Sequence, residues 1–216
     1  MGDDDDDSYL KIETCFSKHA DAPEVLDFSI FLRRYVEHRD VPGPTLAHLK
    51  GFLVQPGYLP QPGDGWYFDV FDMRSQHAMN AFHVIADDRP LLKRALKTDF
   101  DYLSSVAHLD RVWVDPSLRK RGIALRLMRE AQHVLARYGL LVVLKAHPDG
   151  DNVTDADCLK LSAYYQSERQ LGLRAVSKKK RPGWLVGVWD EPVINDADEV
   201  FLHLDVEVPT EPAEDE

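Results

Sequence analysis

Cysteine is nearly absent: the 216 residues contain two, Cys15 and Cys158. Neither has a partner at metal-ligand spacing, which excludes a disulfide framework or a cysteine-built zinc module and makes a reducing cytoplasm the expected compartment. Long apolar runs are missing as well. The longest, around Tyr138 to Leu144, falls well short of the roughly 20 residues a membrane helix needs, and the acidic N-terminus lacks the basic and apolar regions of a signal peptide. Neither a membrane nor a secretory role is expected. Positive charge is also in short supply, with a formal net charge of -11. Asp3 to Asp7 contribute five acids and the segment from Asp205 onward six, neither segment has Lys or Arg, and residues 8–203 are therefore formally neutral. The ends, 1–7 and 204–216, read as solvated acidic tails, with mimicry of DNA the sharper alternative. A neutral folded part releases few counterions, so nucleic acid is not an expected partner.

What the chain does have is enough apolar content, 44%, to bury an ordinary core, and a length that suits one domain over residues 8–203. Residues 8–16 alternate as a strand. In residues 23–38 the spacing of Leu26, Ile30 and Tyr35 allows a helix, while DFSIFL also passes as a strand. Residues 41–65 hold five of the 13 prolines and five of the 12 glycines around the apolar run Leu49 to Val54, which predicts turns around one strand. GWYFDVFD, rich in aromatic and β-branched residues, reads as a further strand, followed by Ser75 as N-cap of a helix through Met79, Phe82 and Ile85. Pro90 suits the first turn of another short helix carrying Leu91, Leu92, Ala95 and Leu96.

The second half is patterned more sharply. A strand within 102–115 should stop at Pro116. A basic turn, Arg119-Lys120-Arg121-Gly122, leads into an amphipathic helix running to Tyr138 and closed by Gly139. LLVVLKA (140–146) has the continuous apolarity of a strand covered on both faces. A polar loop, a helix through Leu161, Tyr164 and Tyr165, and two strands, LRAV and WLVGVW, complete the order. Strand, helix, strand, helix, strand, strand predicts an α/β or α+β layered domain with a mixed sheet.

The chemically informative segment is Val112 to Ala136. A strand end, a tight basic turn and a helix opened by Gly122 gather free backbone N–H groups and the positive end of a helix dipole at one point, which suits phosphate. Gly122 allows close approach of the main chain, Ala124 keeps the first turn clear, and Arg119, Lys120 and Arg121 add positive charge. The pattern Arg119, Gly122, Ala124 resembles the acyl-coenzyme A loop of the GNAT superfamily of N-acetyltransferases. The strand end at Val112, Val114, Asp115 and Pro116 and the following helix and strand are similar to that family too, over roughly residues 66–190, and the WYFDVFDMRSQ segment is similar to uncharacterised prokaryotic members.

The resemblance implies a mixed, mostly antiparallel central sheet flanked by helices, with a coenzyme-binding core over about 102–190. It implies acetyl-CoA as cosubstrate, no metal, and coenzyme contacts from Val112, Trp113, Val114, Arg119, Lys120, Arg121, Gly122, Ile123 and Ala124. It also implies a tyrosine acid on the last helix. Gly172-Leu173 stands seven residues beyond Tyr165, where the family usually has a Gly-Phe pair about four residues after its tyrosine, so both Tyr164 and Tyr165 remain candidates. A lysine-type amine, with a pKa of about 10.4, is neutral in only about one molecule in 2,500 at pH 7, a handicap of roughly 4.6 kcal/mol, and a base must take its proton. The resemblance implies a base from the strand before the loop, where Asp110 and His108, two residues apart on one strand face, are the candidates. A backbone N–H near Val114 would polarise the thioester carbonyl.

The expected activity is acyl-CoA-dependent acetyl transfer to a primary amine of unknown identity by direct attack; the alternative is a non-catalytic module binding CoA or a protein partner. A homodimer is compatible with the sequence. Cys158 has no His or Asn motif that would make it a nucleophile. His77 and His83 with Asp87 and Asp88 match no standard metal spacing. Lys178 to Arg181 reads as a solvated hairpin tip or, alternatively, a clamp for the coenzyme's 3′-phosphate. Trp66, Trp113, Trp184 and Trp189 fall in predicted strands and suit sheet packing.

Overall fold

In the computed structural model, residues 8–20, 22–36, 43–55, 66–86, 103–177 and 179–192 are described. Among these residues seven strands form one sheet in the order β1-β2-β3-β4-β5-β7-β6. They are β1 Ser8–Lys18, β2 Val25–Val36, β3 Thr45–Val54, β4 Ser105–Val114, β5 Leu140–Lys145, β6 Arg174–Ser177 and β7 Arg181–Val188. Every neighbouring pair is antiparallel except β4 with β5. The α-helices among the described residues are α1 Trp66–Arg74, α2 Gln76–Ile85, α3 Ile123–Leu135 and α4 Asp155–Ser167. This is the mixed, mostly antiparallel α/β layering that the sequence suggests.

Successive residues of β5 point to opposite faces, and both faces are covered. Leu140, Val142 and Leu144 join α3 and Tyr165 of α4 in one apolar cluster. Leu141 and Val143 join α1 and α2 in another. That double burial explains why β5 reads as unbroken apolarity.

Three expectations need correction or completion. The 23–38 segment is strand β2: Phe28, Ile30 and Leu32 are buried at period two, whereas Leu26 and Tyr35, which with Ile30 allow a helix, are only half-buried. GWYFDVFD is not a strand. It lies largely in α1, where adjacent Val70 and Phe71 are both buried against one cluster, an arrangement a strand would split between two faces. Arg74 at its end pairs with Asp27 of β2, and this tertiary docking overrides the β propensity of the segment. Trp66 is accordingly the first residue of a helix. Finally, α3 stops at Leu135, ahead of the expected Tyr138. The Arg137 N–H donates to the carbonyl of Trp189 (2.9 Å), which draws the chain out of the helix, so Tyr138 is exposed and Gly139 (φ 75°) closes the turn into β5. The helix proposed behind Pro90, together with the segments 1–7 and 204–216, lies outside the described residues.

A β-bulge between β3 and β4 sets up the site. Gly51 pairs with Leu109 and Lys50 with Arg111, leaving Asp110 as the extra residue. A Cβ on Gly51 would lie 2.2 Å from the His108 carbonyl oxygen, so only glycine permits this close approach.

Candidate active site

β4 and β5 pair from Ser105 with Leu140 to Leu109 with Leu144 and no further, although β4 continues to Val114. The two strands therefore part beyond the bulge. The Asp115 N–H donates to Leu46 on the β3 side (2.9 Å). Because N–H directions alternate along a strand, those of Val112 and Val114 point away from β3 into the gap that β5 leaves.

The turn after β4 is held from below. Asp115 accepts from the backbone N–H (2.9 Å) and hydroxyl (2.6 Å) of Ser117, and these bonds lower its pKa. A 3-10 turn at Pro116–Leu118 follows. Lys120 (φ 66°) and Gly122 (φ 77°) then adopt left-handed conformations, bending successive amides into a concavity of the kind that favours anions. The first helical bond recorded for α3 runs from the Arg126 N–H to Gly122, so the N–H groups of Ile123, Ala124 and Leu125 are the orphans every helix start leaves. Gly122, the N-cap, makes no side-chain capping bond, and a Cβ built on it meets nothing within 4 Å. Among the described residues the cup is open.

Beside it lies a cavity of about 320 Å³ lined by Val112, Val114, Arg119, Lys120, Gly122, Ile123 and Ala124 from the loop side and by Tyr164 and Tyr165 from α4. Seven of the nine residues expected to hold coenzyme thus share one wall. Trp113 does not; it stacks on His48 (centroids 5.4 Å, 23°). Arg121 is exposed and does not line the cavity either. Arg119 is drawn sideways, its Nε donating to the Val114 carbonyl (3.1 Å) and its Nη2 lying 3.4 Å from Asp149. Asp149 also faces Arg111 at 3.8 Å, tying the loop after β5 to both ends of the gap.

A second cavity, about 370 Å³, lies at the gap and is lined by His77, Asp110, Arg111, Lys145, His147 and Tyr165 among others. Tyr165 lines both cavities, whereas Tyr164 lines the first and one further out along α4. Tyr165 is 6% exposed, and burial raises its pKa well above the usual phenol value, with Tyr164 and Asp149 adding to the rise. The Tyr164 pKa is raised by burial alone. The position of Gly172 also has its explanation: α4 ends at Ser167 and a 3-10 turn, Arg169–Leu171, intervenes before Gly172 (φ 58°).

Asp110 and His108 do face the same side, and His77 of α2 joins them. His77 Nε2 is 3.9 Å from Asp110 Oδ1, and its ring lies 5.3 Å from that of His108. Sequence reasoning weighed His77 only with His83, Asp87 and Asp88; the last two lie outside the described residues. His108 is fully buried, and neither ring nitrogen has a hydrogen-bond partner among the described residues. Burial, then His77 and Arg74, push its pKa down to about 3. The His77 pKa is lowered too, by burial first, with Asp110 opposing and Lys145 and His147 reinforcing. The three potential ligand atoms lie within 4.8 Å of one another. A tetrahedral metal with bonds of about 2.1 Å would hold its ligands about 3.4 Å apart, so the 3.9 Å edge between His77 and Asp110 is already wider than a metal would set.

Lys179 and Lys180 occupy an exposed turn, Arg181 opens β7, and Lys178 lies outside the described residues. Trp184 and Trp189 are buried in or just beyond β7, as expected of packing residues. Cys158 is buried and its pKa is raised, chiefly by burial, the opposite of an activated thiol. No helix among the described residues is long and apolar enough to cross a membrane.

A search of curated proteins finds no match to the chain. Residues 65–161 match the model of the acetyltransferase (GNAT) family, a span that opens at α1 and takes in the open amide cup, the parted strands and most of α4. With that match falling on that geometry, the segment 65–161 is similar to the acetyltransferase (GNAT) family.

Proposed function

We propose that the protein transfers an acetyl group from acetyl-CoA to a primary amine by direct attack, in the cytoplasm. The observation that carries this reading is the uncapped run of amides from Lys120 to Leu125 opening on a cavity that Tyr165 shares with the parted strands. The cup suits a diphosphate: left-handed turns at Lys120 and Gly122 aim the N–H groups, and no side chain of the described residues competes for them. Val112, Val114, Arg119, Lys120, Gly122, Ile123 and Ala124 hold the coenzyme. Trp113 and Arg121 contribute through sheet packing and long-range charge.

The bound thioester supplies an activated acyl carbon. The residues do the rest. The inward N–H groups of Val112 and Val114 donate to the thioester carbonyl as negative charge grows on its oxygen. Tyr165, protonated throughout the physiological range because burial raises its pKa, donates its hydroxyl proton to the departing sulfur. Asp110, half exposed at the second cavity, draws in the ammonium form of the acceptor. His108, neutral at pH 7, is too weakly basic with its pKa pushed down to about 3 and does not line the cavity, so it supports the strand face and does not act as the base.

The test mixes the purified full chain with acetyl-CoA and a panel of amines and follows free thiol. Amine-dependent thiol release is the expected result. Binding of acetyl-CoA without thiol release would reduce the protein to a coenzyme-binding module.

A further inference from the structure

We propose that His77, from α2, takes the proton of the acceptor amine, and that His77 Nε2 and Asp110 Oδ1 together seat the acceptor nitrogen. This rests on the acyltransferase reading and names a group in it that neither the loop pattern nor the family match, whose span includes it, assigns.

The geometry comes first. At 3.9 Å the two atoms are too far apart for a direct hydrogen bond, yet one nitrogen placed between them sits about 3 Å from each. Both side chains line the second cavity, as does Tyr165. His77 is held in place, its ring stacked on Trp184 (5.7 Å, 23°) and tilted against His108 (5.3 Å, 41°). Asp110 owes its place to the bulge opposite Gly51, which makes it the unpaired residue of β4.

Charge then assigns the roles. The groups facing His77 are Asp110 and His108 from β4, Lys145 from β5, His147 from the following loop and Trp184 from β7; Arg74 of α1 acts on neighbouring His108. Burial with Lys145 and His147 favours the neutral, proton-accepting imidazole, and Asp110 stabilises the imidazolium once formed. The acceptor enters as an ammonium and gives up one proton to solvent at Asp110. Its nitrogen lone pair then forms the C–N bond as an N–H proton passes to His77 Nε2. The C–S bond breaks with its electron pair on sulfur, which takes the Tyr165 proton. The imidazolium returns its proton through water to the phenolate. The products are the amide, the free thiol and one released proton.

The experiment measures thiol release by the full chain from pH 5 to 9, together with calorimetric binding of acetyl-CoA, for wild type, His77→Gln, His77→Ala and Asp110→Asn. His77→Gln is expected to lower kcat about 100-fold or more, leave acetyl-CoA binding within twofold, and abolish the acid limb of the wild-type profile, which falls below pH 6.5. Added imidazole should restore part of the His77→Ala rate, which a merely packing role would not permit. Asp110→Asn, by removing the charge that opposes the lowering of the His77 pKa, should raise the KM for the amine and move the acid limb to lower pH. An active wild type whose His77→Gln variant keeps both its kcat and its acid limb overturns the assignment of His77 alone. A wild type that binds acetyl-CoA but releases no thiol with any amine overturns the acyltransferase reading and this inference with it.

Discussion

At the scale of single residues, Gly122 and Tyr165 separate binding from turnover. A Cβ at Gly122 meets no neighbouring atom within 4 Å and would project toward the place proposed for the diphosphate, from a backbone at φ 77° that L residues resist. Gly122→Glu should fold and fail to bind acetyl-CoA in a calorimetric titration, with strain of about 1 kcal/mol in denaturant unfolding. Tyr165→Phe should bind normally and lower kcat between about 100-fold and 10,000-fold, while Tyr164→Phe changes kcat by less than about tenfold. Equal effects at the two tyrosines would contradict the selection of Tyr165. The loop residues were legible because Arg119, Gly122 and Ala124 follow a local chemical logic at fixed spacing. His77 was not, since its partners stand more than thirty positions away and only the docking of α2 on β4 brings them together. Asp149 reads in the sequence as one more polar loop residue, and its bridge between Arg111 and Arg119 depends on where the loop lands.

Elements position these residues, and two are exposed to test. Helix α4 begins with a capping box in which Thr154 and Asp157 satisfy each other's backbone groups. Thr154→Ala should reduce stability by about 1 kcal/mol in urea unfolding and lower kcat by loosening the helix that carries Tyr165. A Cβ on Gly51 would sit 2.2 Å from backbone and 2.6 Å from the Phe28 ring. Gly51→Ala should therefore cost about 1–3 kcal/mol and raise the KM for the amine, since the displaced bulge carries Asp110. Pattern announced β1, α2, β4, β5, α4, β6 and β7, most plainly α2, β5 and β7, whose residues are largely buried. It misread α1, where aromatic residues of high β propensity fold as a helix once Val70 and Phe71 dock together. It placed the end of α3 late, because the competing Trp189 carbonyl lies about fifty residues downstream.

For the whole molecule, buried His108 links stability to pH. Its folded pKa of about 3 lies below the unfolded value of 6.5, so the unfolded chain binds one more proton between those limits. Stability is full above pH 6.5 and falls with acidification by up to about 1.4 kcal/mol per pH unit down to about pH 3. Urea unfolding at pH 7 and pH 5 should show that loss in wild type and a shallower one in His108→Leu. An identical slope in the two proteins would contradict it. The central claim is that the amides from Lys120 to Leu125 form an open receptor for the coenzyme's diphosphate. Calorimetric titration of the full chain with acetyl-CoA tests it most directly. Saturable one-to-one binding in wild type and Tyr165→Phe, lost in Gly122→Glu, is the expected result, and binding that persists undiminished in folded Gly122→Glu would contradict it.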